Sequence, residues 1–235
     1  MVLQQWLQRG SRWLQRGMPG YCAFCMATAL PGQGWCAACL KELPWNLHAC
    51  QQCGDPVAHE TPLCGHCLTE PPAFTATQTG LLYQGAIKAL VHDFKFHASS
   101  RAGMLLSELM LLAPPLIKAN AFLSVPMHPT HARTRGFNQS HWLAERLSQQ
   151  LGVPMVSSAA RVKHSPSQRT LNRRQRAANL AGAFVLASPP PSHVVIIDDV
   201  VTTGSTGHAL AQAALEAGAS RVDIWAAART PLGKD

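Results

Sequence analysis

The sequence predicts an α/β fold, with a parallel sheet that has helices on both faces, preceded by a small cysteine-rich module. Two patterns predict it. After residue 72 helical and strand periodicities alternate along the chain, which is typical of a parallel sheet. Before residue 72 all eight cysteines fall in four Cys-x-x-Cys pairs. We therefore expect an amphipathic segment over residues 1–20, a metal-binding module over 21–71 and an α/β domain over 72–235.

Charge and composition limit the classes of function. Lys and Arg outnumber Asp and Glu by 20 to 12, so the net charge is +8, and we expect an anionic partner, either a nucleic acid or a small phosphorylated metabolite. A hydrophobic content of 47% excludes a disordered chain. The sequence has no run of eighteen apolar residues, so it predicts no transmembrane helix. Arg9 and Arg12 interrupt the first twenty residues, whereas a secretory signal would have a continuous apolar stretch there. We expect a cytoplasmic protein.

The cysteine pairs predict structural zinc sites. A Cys-x-x-Cys turn directs two thiolates at one tetrahedral zinc, and a second turn completes a closed four-sulfur site. Disulfides are the alternative, but the two-residue gaps and a reducing cytosol favour metal. Four thiolates leave no position for substrate, so we expect two zinc ions that stabilise a segment with few core residues. The predicted ligands are Cys22, Cys25, Cys36, Cys39, Cys50, Cys53, Cys64 and Cys67.

Equal spacing of the pairs leaves their grouping open. Consecutive pairs, alternate pairs, or outer with inner pairs could share a metal, and we expect consecutive pairing. Gly54 and Gly65, each directly after a cysteine, are expected to provide backbone freedom for the tight turns. His48, His59 and His66 are possible ligands, but the complete set of cysteines favours a surface position for them.

Periodicity predicts the elements of the second domain. In chain order these are a strand at Gly80–Tyr83, helices at Ala86–Phe94 and Arg101–Leu112, a strand at Ala121–Pro126, a helix at Asn138–Leu151, and strands at Val194–Ile197 and Val222–Ala226 joined by an alanine-rich helix. Lys95 is expected just beyond the first of these helices.

A phosphate-binding loop is predicted between the last two strands. Asp198 and Asp199 follow the strand, at the edge where open α/β sheets bind ligands. Hydroxyls at Thr202, Thr203, Ser205 and Thr206 then precede a helix whose amino terminus favours a phosphate, and Gly204 allows close approach. The two carboxylates suit the hydroxyls of an adjoining ribose. No Gly-Lys-Ser/Thr follows, so a Walker loop describes the stretch poorly.

The stretch from Val194 to Gly207, VVIIDDVVTTGSTG, resembles the signature with which type I phosphoribosyltransferases bind phosphoribosyl pyrophosphate (PRPP). The resemblance implies a type I phosphoribosyltransferase-like sheet and Mg²⁺ as a cofactor with PRPP. The PRPP-binding residues that it implies are Asp198, Asp199, Val200, Val201, Thr202, Thr203, Gly204, Ser205 and Thr206.

Four Cys-x-x-Cys pairs followed by this domain resemble the ComF/GntX family, which has a double zinc ribbon before the phosphoribosyltransferase-like domain and is associated with DNA uptake and utilisation. Two further segments share the resemblance: Val125–Pro129 with Arg133, Arg135, Gly136, Phe137, Asn138 and Gln139, and then Gln168, Leu171, Arg176, Asn179 and Phe184. It implies that Arg133 and Arg135 clamp pyrophosphate, that Arg176 lies in a loop closing over PRPP, and that Lys95 lies in a first binding loop.

The resemblance implies a phosphoribosyltransferase, a glycosyltransferase of pentosyl groups, in which Asp198 and Asp199 are catalytic and Asp199 is a candidate general base. Its acceptor would be a nucleobase, a nucleotide or single-stranded DNA, and its partners would include proteins of DNA uptake. A non-catalytic adaptor that senses PRPP and binds single-stranded DNA is the alternative. Whichever function holds, the arginine run is expected to serve either as a lid over PRPP or as a patch that binds DNA phosphates; it comprises Arg161, Arg169, Arg173, Arg174 and Arg176.

Overall fold

A computed structural model describes residues 20–58, 61–115, 118–127, 136–156, 158–162, 180 and 182–233 of the chain. The chain divides into two compact units, Met1–Pro44 and Trp45–Asp235. The second cysteine cluster thus shares a unit with the α/β fold, and the boundary near residue 72 stays a prediction about domain limits.

The first unit contains one short helix among its described residues, α1 (Ala37–Glu42). Cys36 is its N-cap, and the Cys36 sulfur accepts a hydrogen bond from the Cys39 backbone N–H at 3.4 Å. Tyr21 and Thr28 pair as an isolated bridge that closes the turn around Cys22 and Cys25. The cysteine side chains and the local turns therefore determine the backbone conformation here.

The second unit is built on a parallel sheet of five strands. The strands of this unit are β1 (Thr77–Leu82), β2 (Ala121–Ser124), β3 (Met155–Val156), β4 (Ala159–Arg161), β5 (Phe184–Leu186), β6 (His193–Val201) and β7 (Arg221–Arg229). The sheet order is β1-β7-β6-β2-β3, every pairing in it is parallel, and β4 and β5 form a separate antiparallel pair. The predicted parallel sheet is confirmed.

Helices cover both faces of this sheet, as predicted. The helices of this unit are α2 (Gly65–Thr69), α3 (Gly85–Phe96), α4 (Ser100–Leu111), α5 (Gln139–Leu151) and α6 (Ser205–Glu216). Helices α4 and α5 pack on the sheet with α3 beside α4, while α6 packs on β6 and β7 together with β5. Alternate residues of β6, such as Val194 and Ile196, join the core under α6. In the described part of the chain, no helix combines the length and the apolar character needed to cross a membrane.

The strand at the predicted phosphate site is longer than predicted. It continues past Ile197 to Val201, so Asp198 and Asp199 lie within β6 and not after it. The reason is that β7 continues to Arg229 and keeps pairing with β6, whereas the ladder with β2 ends at Ser124 opposite Ile197. The two carboxylates therefore border the open space beyond the end of β2.

Other limits differ by a few residues. β2 ends at Ser124 and not at Pro126, because the ladder to β6 stops there and Pro126 has no N–H to extend it. β1 begins at Thr77 and not at Gly80, since it pairs with β7 from there onward. Lys95 lies inside the last turn of α3, whose cap is His97. Periodicity did not find β3, β4 and β5, which have two or three residues each.

Candidate functional site

The cysteines form two four-sulfur clusters made of consecutive pairs. Cys22, Cys25, Cys36 and Cys39 form one, and Cys50, Cys53, Cys64 and Cys67 form the other, with the sulfurs of each cluster within 4.8 Å of one another. Zinc–sulfur bonds of about 2.3 Å in a tetrahedron separate the sulfurs by roughly 3.8 Å. The Cys25–Cys36 and Cys53–Cys64 sulfur distances are 3.7 and 3.6 Å. The two clusters therefore fit two structural zinc ions, and the expected consecutive pairing is correct.

The thiols of the second cluster differ in their affinity for protons. Burial raises the pKa of Cys50, but backbone N–H groups, led by that of Cys53, outweigh it and bring the pKa down to about 7. Burial raises the pKa of Cys53 to about 11, and the negative charge of Cys50 adds to this rise. Cys50 loses its proton readily, and its negative charge then opposes the deprotonation of Cys53. Four thiolates can therefore be held together only if a cation compensates their mutual repulsion. A divalent metal fits this requirement.

The carboxylates lie at the topological switch point of the sheet. From β2 the chain proceeds outward to β3, whereas from β6 it proceeds the other way to β7. The connections after the neighbouring strands β2 and β6 therefore diverge and leave a crevice between them. Ligands of open α/β folds bind in this crevice, outside the carboxyl ends of the strands.

The two carboxylates have different partners. The Asp198 Oδ1 atom accepts hydrogen bonds from the Ser140 hydroxyl at 2.8 Å and from the Asp199 backbone N–H at 2.9 Å. Asp199 is buried, and its Oδ1 atom lies 2.9 Å from the Lys95 ammonium. Ser140 is in the first turn of α5 and Lys95 in the last turn of α3, so two helices fix the orientation of the acidic pair.

Adjacent carboxylates in a buried position alter the protonation of the site. Burial raises the pKa of Asp198 to about 7, and the Asp199 charge adds to the rise, against the Ser140 hydrogen bond and the Lys95 charge. Burial alone would lower the pKa of Lys95, but the Asp199 carboxylate raises it above its ordinary value. Lys95 is therefore a cation, and the site favours a ligand that offers hydrogen-bond donors or positive charge to Asp198.

The loop after β6 leads into the amino terminus of α6. Gly204 is the N-cap, with a left-handed φ of +78°, and it provides no side-chain cap. The Thr203 and Ser205 hydroxyls are 2.9 Å apart. A small cleft is lined by Asp198, Thr202, Gly204 and Thr206, so loop and carboxylate face one space. Such a helix terminus, with hydroxyls around it, is suited to an anion.

Comparisons with known proteins agree with this arrangement. The sequence model for a double zinc ribbon domain matches residues 13–68, and that for a phosphoribosyl transferase domain matches residues 138–234. The DNA utilization protein YhgH of Salmonella typhimurium is 37% identical over 223 residues, which cover 91% of this chain and 98% of that protein. The protein of the same name from Escherichia coli K12 is similar at 37% identity with the same coverage. Competence protein F of Haemophilus influenzae is 30% identical over 208 residues, covering 83% of this chain and 90% of that protein. The chain belongs to the ComF/GntX family.

The ComF/GntX resemblance also predicted further binding-site residues, and the structure describes only some of them. Asn138 caps α5 and donates from its side chain to the Val125 carbonyl at 3.0 Å, and the Gln139 side chain donates to the Lys95 carbonyl at 3.4 Å. These two residues thus join the segment after β2 to α3. Arg133, Arg135 and Arg176 lie outside the described residues, as do His59, His128, Pro129, Gln168, Arg169, Leu171, Arg173, Arg174 and Asn179.

Three residues around the candidate site were not found by sequence reasoning. Ser140 contacts Asp198, and its position two residues after the capping Asn138 was the available signal. Arg229 donates to the Val201 and Thr202 carbonyls, and Asp55 lies 3.3 Å from Arg229. Nothing local in the sequence indicated these two contacts, because they join distant parts of the chain.

Proposed function

We propose that this ComF/GntX protein binds PRPP with Mg²⁺ at the carboxyl end of β6 and acts in DNA utilisation as a phosphoribosyltransferase on a nucleobase or nucleotide acceptor. The observation that carries the proposal is the cleft that Asp198 shares with Thr202, Gly204 and Thr206 at the start of α6. The match to the phosphoribosyl transferase domain and the relatives named for DNA utilization and competence support it.

The phosphate and the ribose have matching partners in this cleft. The 5′-phosphate would accept hydrogen bonds from the α6 backbone N–H groups and from the hydroxyls of Thr202 and Thr206, which line the cleft. The ribose 2′- and 3′-hydroxyls are donors, and Asp198 and Asp199 offer acceptors beside the loop. Hydrogen bonds from these donors would favour the charged form of Asp198, whose pKa is raised by burial and by the Asp199 charge.

The reaction would separate pyrophosphate from C1 of the ribose and place positive charge on the sugar. The paired carboxylates favour that charge, because they are held in place by Ser140 and Lys95 before the reaction begins. Carboxylate oxygens suit Mg²⁺, which, when bound with PRPP, supplies positive charge for the pyrophosphate leaving group. Arg133, Arg135 and Arg176 are proposed to contact the same pyrophosphate.

Two carboxylates are available for the general-base role. The sequence favours Asp199, which the structure pairs with Lys95. Asp198 has a pKa of about 7, close to the pH at which a general base is most effective. Comparing transferase turnover in Asp198→Asn and Asp199→Asn assigns the role, since the base is the residue whose loss abolishes the alkaline rise of the rate. Full turnover by Asp199→Asn would remove that residue from consideration.

Calorimetric titration with PRPP and Mg²⁺ tests the proposal. The intact protein should bind one PRPP per chain, and Asp198→Asn/Asp199→Asn should weaken the affinity about 100-fold or more, since each charge-assisted hydrogen bond contributes about 1.5–3 kcal/mol. Asp93→Asn is the matched control, because it neutralises an exposed carboxylate on α3, the helix of Lys95. Absence of PRPP binding by the intact protein would contradict the proposal. DNA binding that weakens steeply with salt and survives the double substitution would instead favour the adaptor.

A further inference from the structure

The last residue of β7, Arg229, is completely buried. Removing a guanidinium ion from water costs several kcal/mol, so such a group is retained only where it is paired and hydrogen-bonded. Its Nη1 atom donates to the carbonyl of Val201 at 3.1 Å, to that of Thr230 at 2.9 Å, and also to that of Thr202. Arg229 therefore holds the backbone at the point where β6 becomes the phosphate-binding loop.

The counterion of Arg229 is Asp55, which lies in the turn between Cys53 and Cys64 of the second cluster. Asp55 follows Cys53 by two residues, and its Oδ1 atom lies 3.3 Å from the Arg229 Nη2 atom. The same oxygen accepts a hydrogen bond from the Leu232 backbone N–H at 2.9 Å. The Asp55 carbonyl in turn accepts the Cys50 N–H at 2.8 Å, so the cluster turn determines where Asp55 lies.

The turn that carries Asp55 is itself fixed against β1. Gly54 has a left-handed φ of +70°, and a Cβ atom there would lie 2.9 Å from the Thr79 hydroxyl oxygen. The Asn46 side chain donates to the Gly54 carbonyl at 2.9 Å, and the Thr77 hydroxyl donates to the Gln52 carbonyl at 2.7 Å. Cluster, turn and sheet therefore form one hydrogen-bonded assembly within this unit.

Phe74 provides a second connection between the cluster and the loop. Its carbonyl accepts a hydrogen bond from the Gln52 side chain at 3.3 Å. Its buried ring lies under the loop, because a Cβ atom on Gly204 would be 3.6 Å from the Phe74 Cζ atom. One side of the cluster turn thus reaches the loop backbone through Arg229, and the other side reaches Gly204 through Phe74.

We propose that Arg229 is a positioning residue for the phosphate-binding loop and that Asp55 makes this positioning depend on the metal cluster of Cys50, Cys53, Cys64 and Cys67. The consequence for function rests on the proposed PRPP site, whereas the effect on the loop exists without ligand. A phosphate-binding loop is effective when its N–H groups are held in place before binding, and small displacements weaken binding and catalysis. A zinc site with no open coordination position would in this way influence a ligand site that it does not touch.

Hydrogen exchange of the backbone amides, measured by mass spectrometry on the full zinc-loaded chain, tests the proposal. Arg229→Met keeps an apolar stem but removes the donors, and Asp55→Asn keeps an acceptor for Leu232 but removes the charge. Both should speed exchange of the Thr202–Gly207 amides roughly tenfold or more, because Arg229→Met removes the hydrogen bonds to the loop backbone and Asp55→Asn removes the charge that pairs with the guanidinium. PRPP affinity should fall by a similar factor.

Arg221→Met is the matched control. It removes an arginine from the same strand, where Arg221 Nε pairs with Asp223 at 3.0 Å at the opposite end of β7. Loop exchange and PRPP affinity should equal those of the intact protein. Exchange in α5 separates positioning from general destabilisation, because a merely structural role would speed it as much as exchange in the loop.

The outcomes are distinct. If Arg229→Met does not fold, the exchange rates of Asp55→Asn decide whether the loop is positioned from the cluster, since this variant leaves the guanidinium and its carbonyl contacts in place. Loop exchange in Asp55→Asn equal to that of the intact protein would overturn the link to the cluster. If the intact protein does not bind PRPP, the proposed function fails, and the exchange data still decide whether Arg229 and Asp55 position the loop.

Discussion

The two cysteine clusters share a motif, a spacing and a geometry, yet they belong to different compact units. The first lies in Met1–Pro44, with Cys25 exposed and Cys36 and Cys39 half-buried. The second lies in the unit of the sheet, with Cys50, Cys53 and Cys67 buried, and its turn contacts β1 and Arg229. Identical metal motifs can therefore have different consequences for the fold, because these depend on what the residues between the cysteines contact.

The largest expected effect comes from removing one cluster at a time. Cys64→Ser/Cys67→Ser should lower the unfolding midpoint of the α/β unit by about 10 °C, because loss of even about 3 kcal/mol of the metal's folding free energy produces a shift of that order. Cys36→Ser/Cys39→Ser should leave the midpoint of this unit unchanged. Differential scanning calorimetry measures both. Equal shifts of the midpoint in the two variants would show that both clusters stabilise the α/β unit to the same degree.

A smaller effect is expected at the turn that joins the second cluster to β1. Gly54→Ala should reduce the free energy of unfolding by about 2 kcal/mol, because Ala is strained at this φ of +70° and its Cβ would crowd the Thr79 hydroxyl. Urea denaturation measures the change. Gly65→Ala is the matched control, since Gly65 opens α2 and a Cβ atom there would meet nothing within 4 Å. A stable Gly54→Ala variant would indicate that the turn is not fixed against the sheet.

The smallest effect is electrostatic and concerns the loop end of the same unit. In the folded state the pKa of Asp198 is about 7, whereas the ordinary pKa of an aspartate is 3.8. Between these two pH values the folded state therefore binds more protons than the unfolded state. The free energy of unfolding therefore falls as pH rises from about 4 to 7 and this contribution stays lost above pH 7. Asp198→Asn lacks the decline, so its free energy of unfolding should gain roughly 1.4 kcal/mol over that of the intact protein between pH 6 and pH 8. Parallel pH profiles of the two proteins would contradict the raised pKa of Asp198.

Local signals in the sequence predicted the two cysteine clusters and the loop before α6 as candidate sites. The Cys-x-x-Cys pairs and the stretch from Val194 to Gly207 each contain their chemistry within a few residues, and the structure brings each set together. The length of β6 was not predictable in this way, because it depends on where β2 stops and β7 continues. The two residues of β3 are too few to show a periodicity.

The link between cluster and loop could not be predicted for a related reason. Asp55 reads as an ordinary turn residue after Cys53-Gly54, and Arg229 as a charged residue that ends a strand. Their contact joins segments separated by most of the chain, as does the Asp55–Leu232 hydrogen bond across 177 residues. The parallel pairing of β1 with β7 brings these two segments to the same edge of the sheet.

The most direct test of the link between the second cluster and the loop is a calorimetric titration with PRPP and Mg²⁺ of three proteins prepared in the presence of zinc: the intact chain, Cys36→Ser/Cys39→Ser and Cys64→Ser/Cys67→Ser. We expect the first two to bind PRPP with the same Kd within about threefold. The third should bind at least about tenfold more weakly, since displacement of the loop should cost at least roughly 1.4 kcal/mol of binding free energy. Absence of binding by the intact chain, or equal weakening by both cluster variants, would contradict the account.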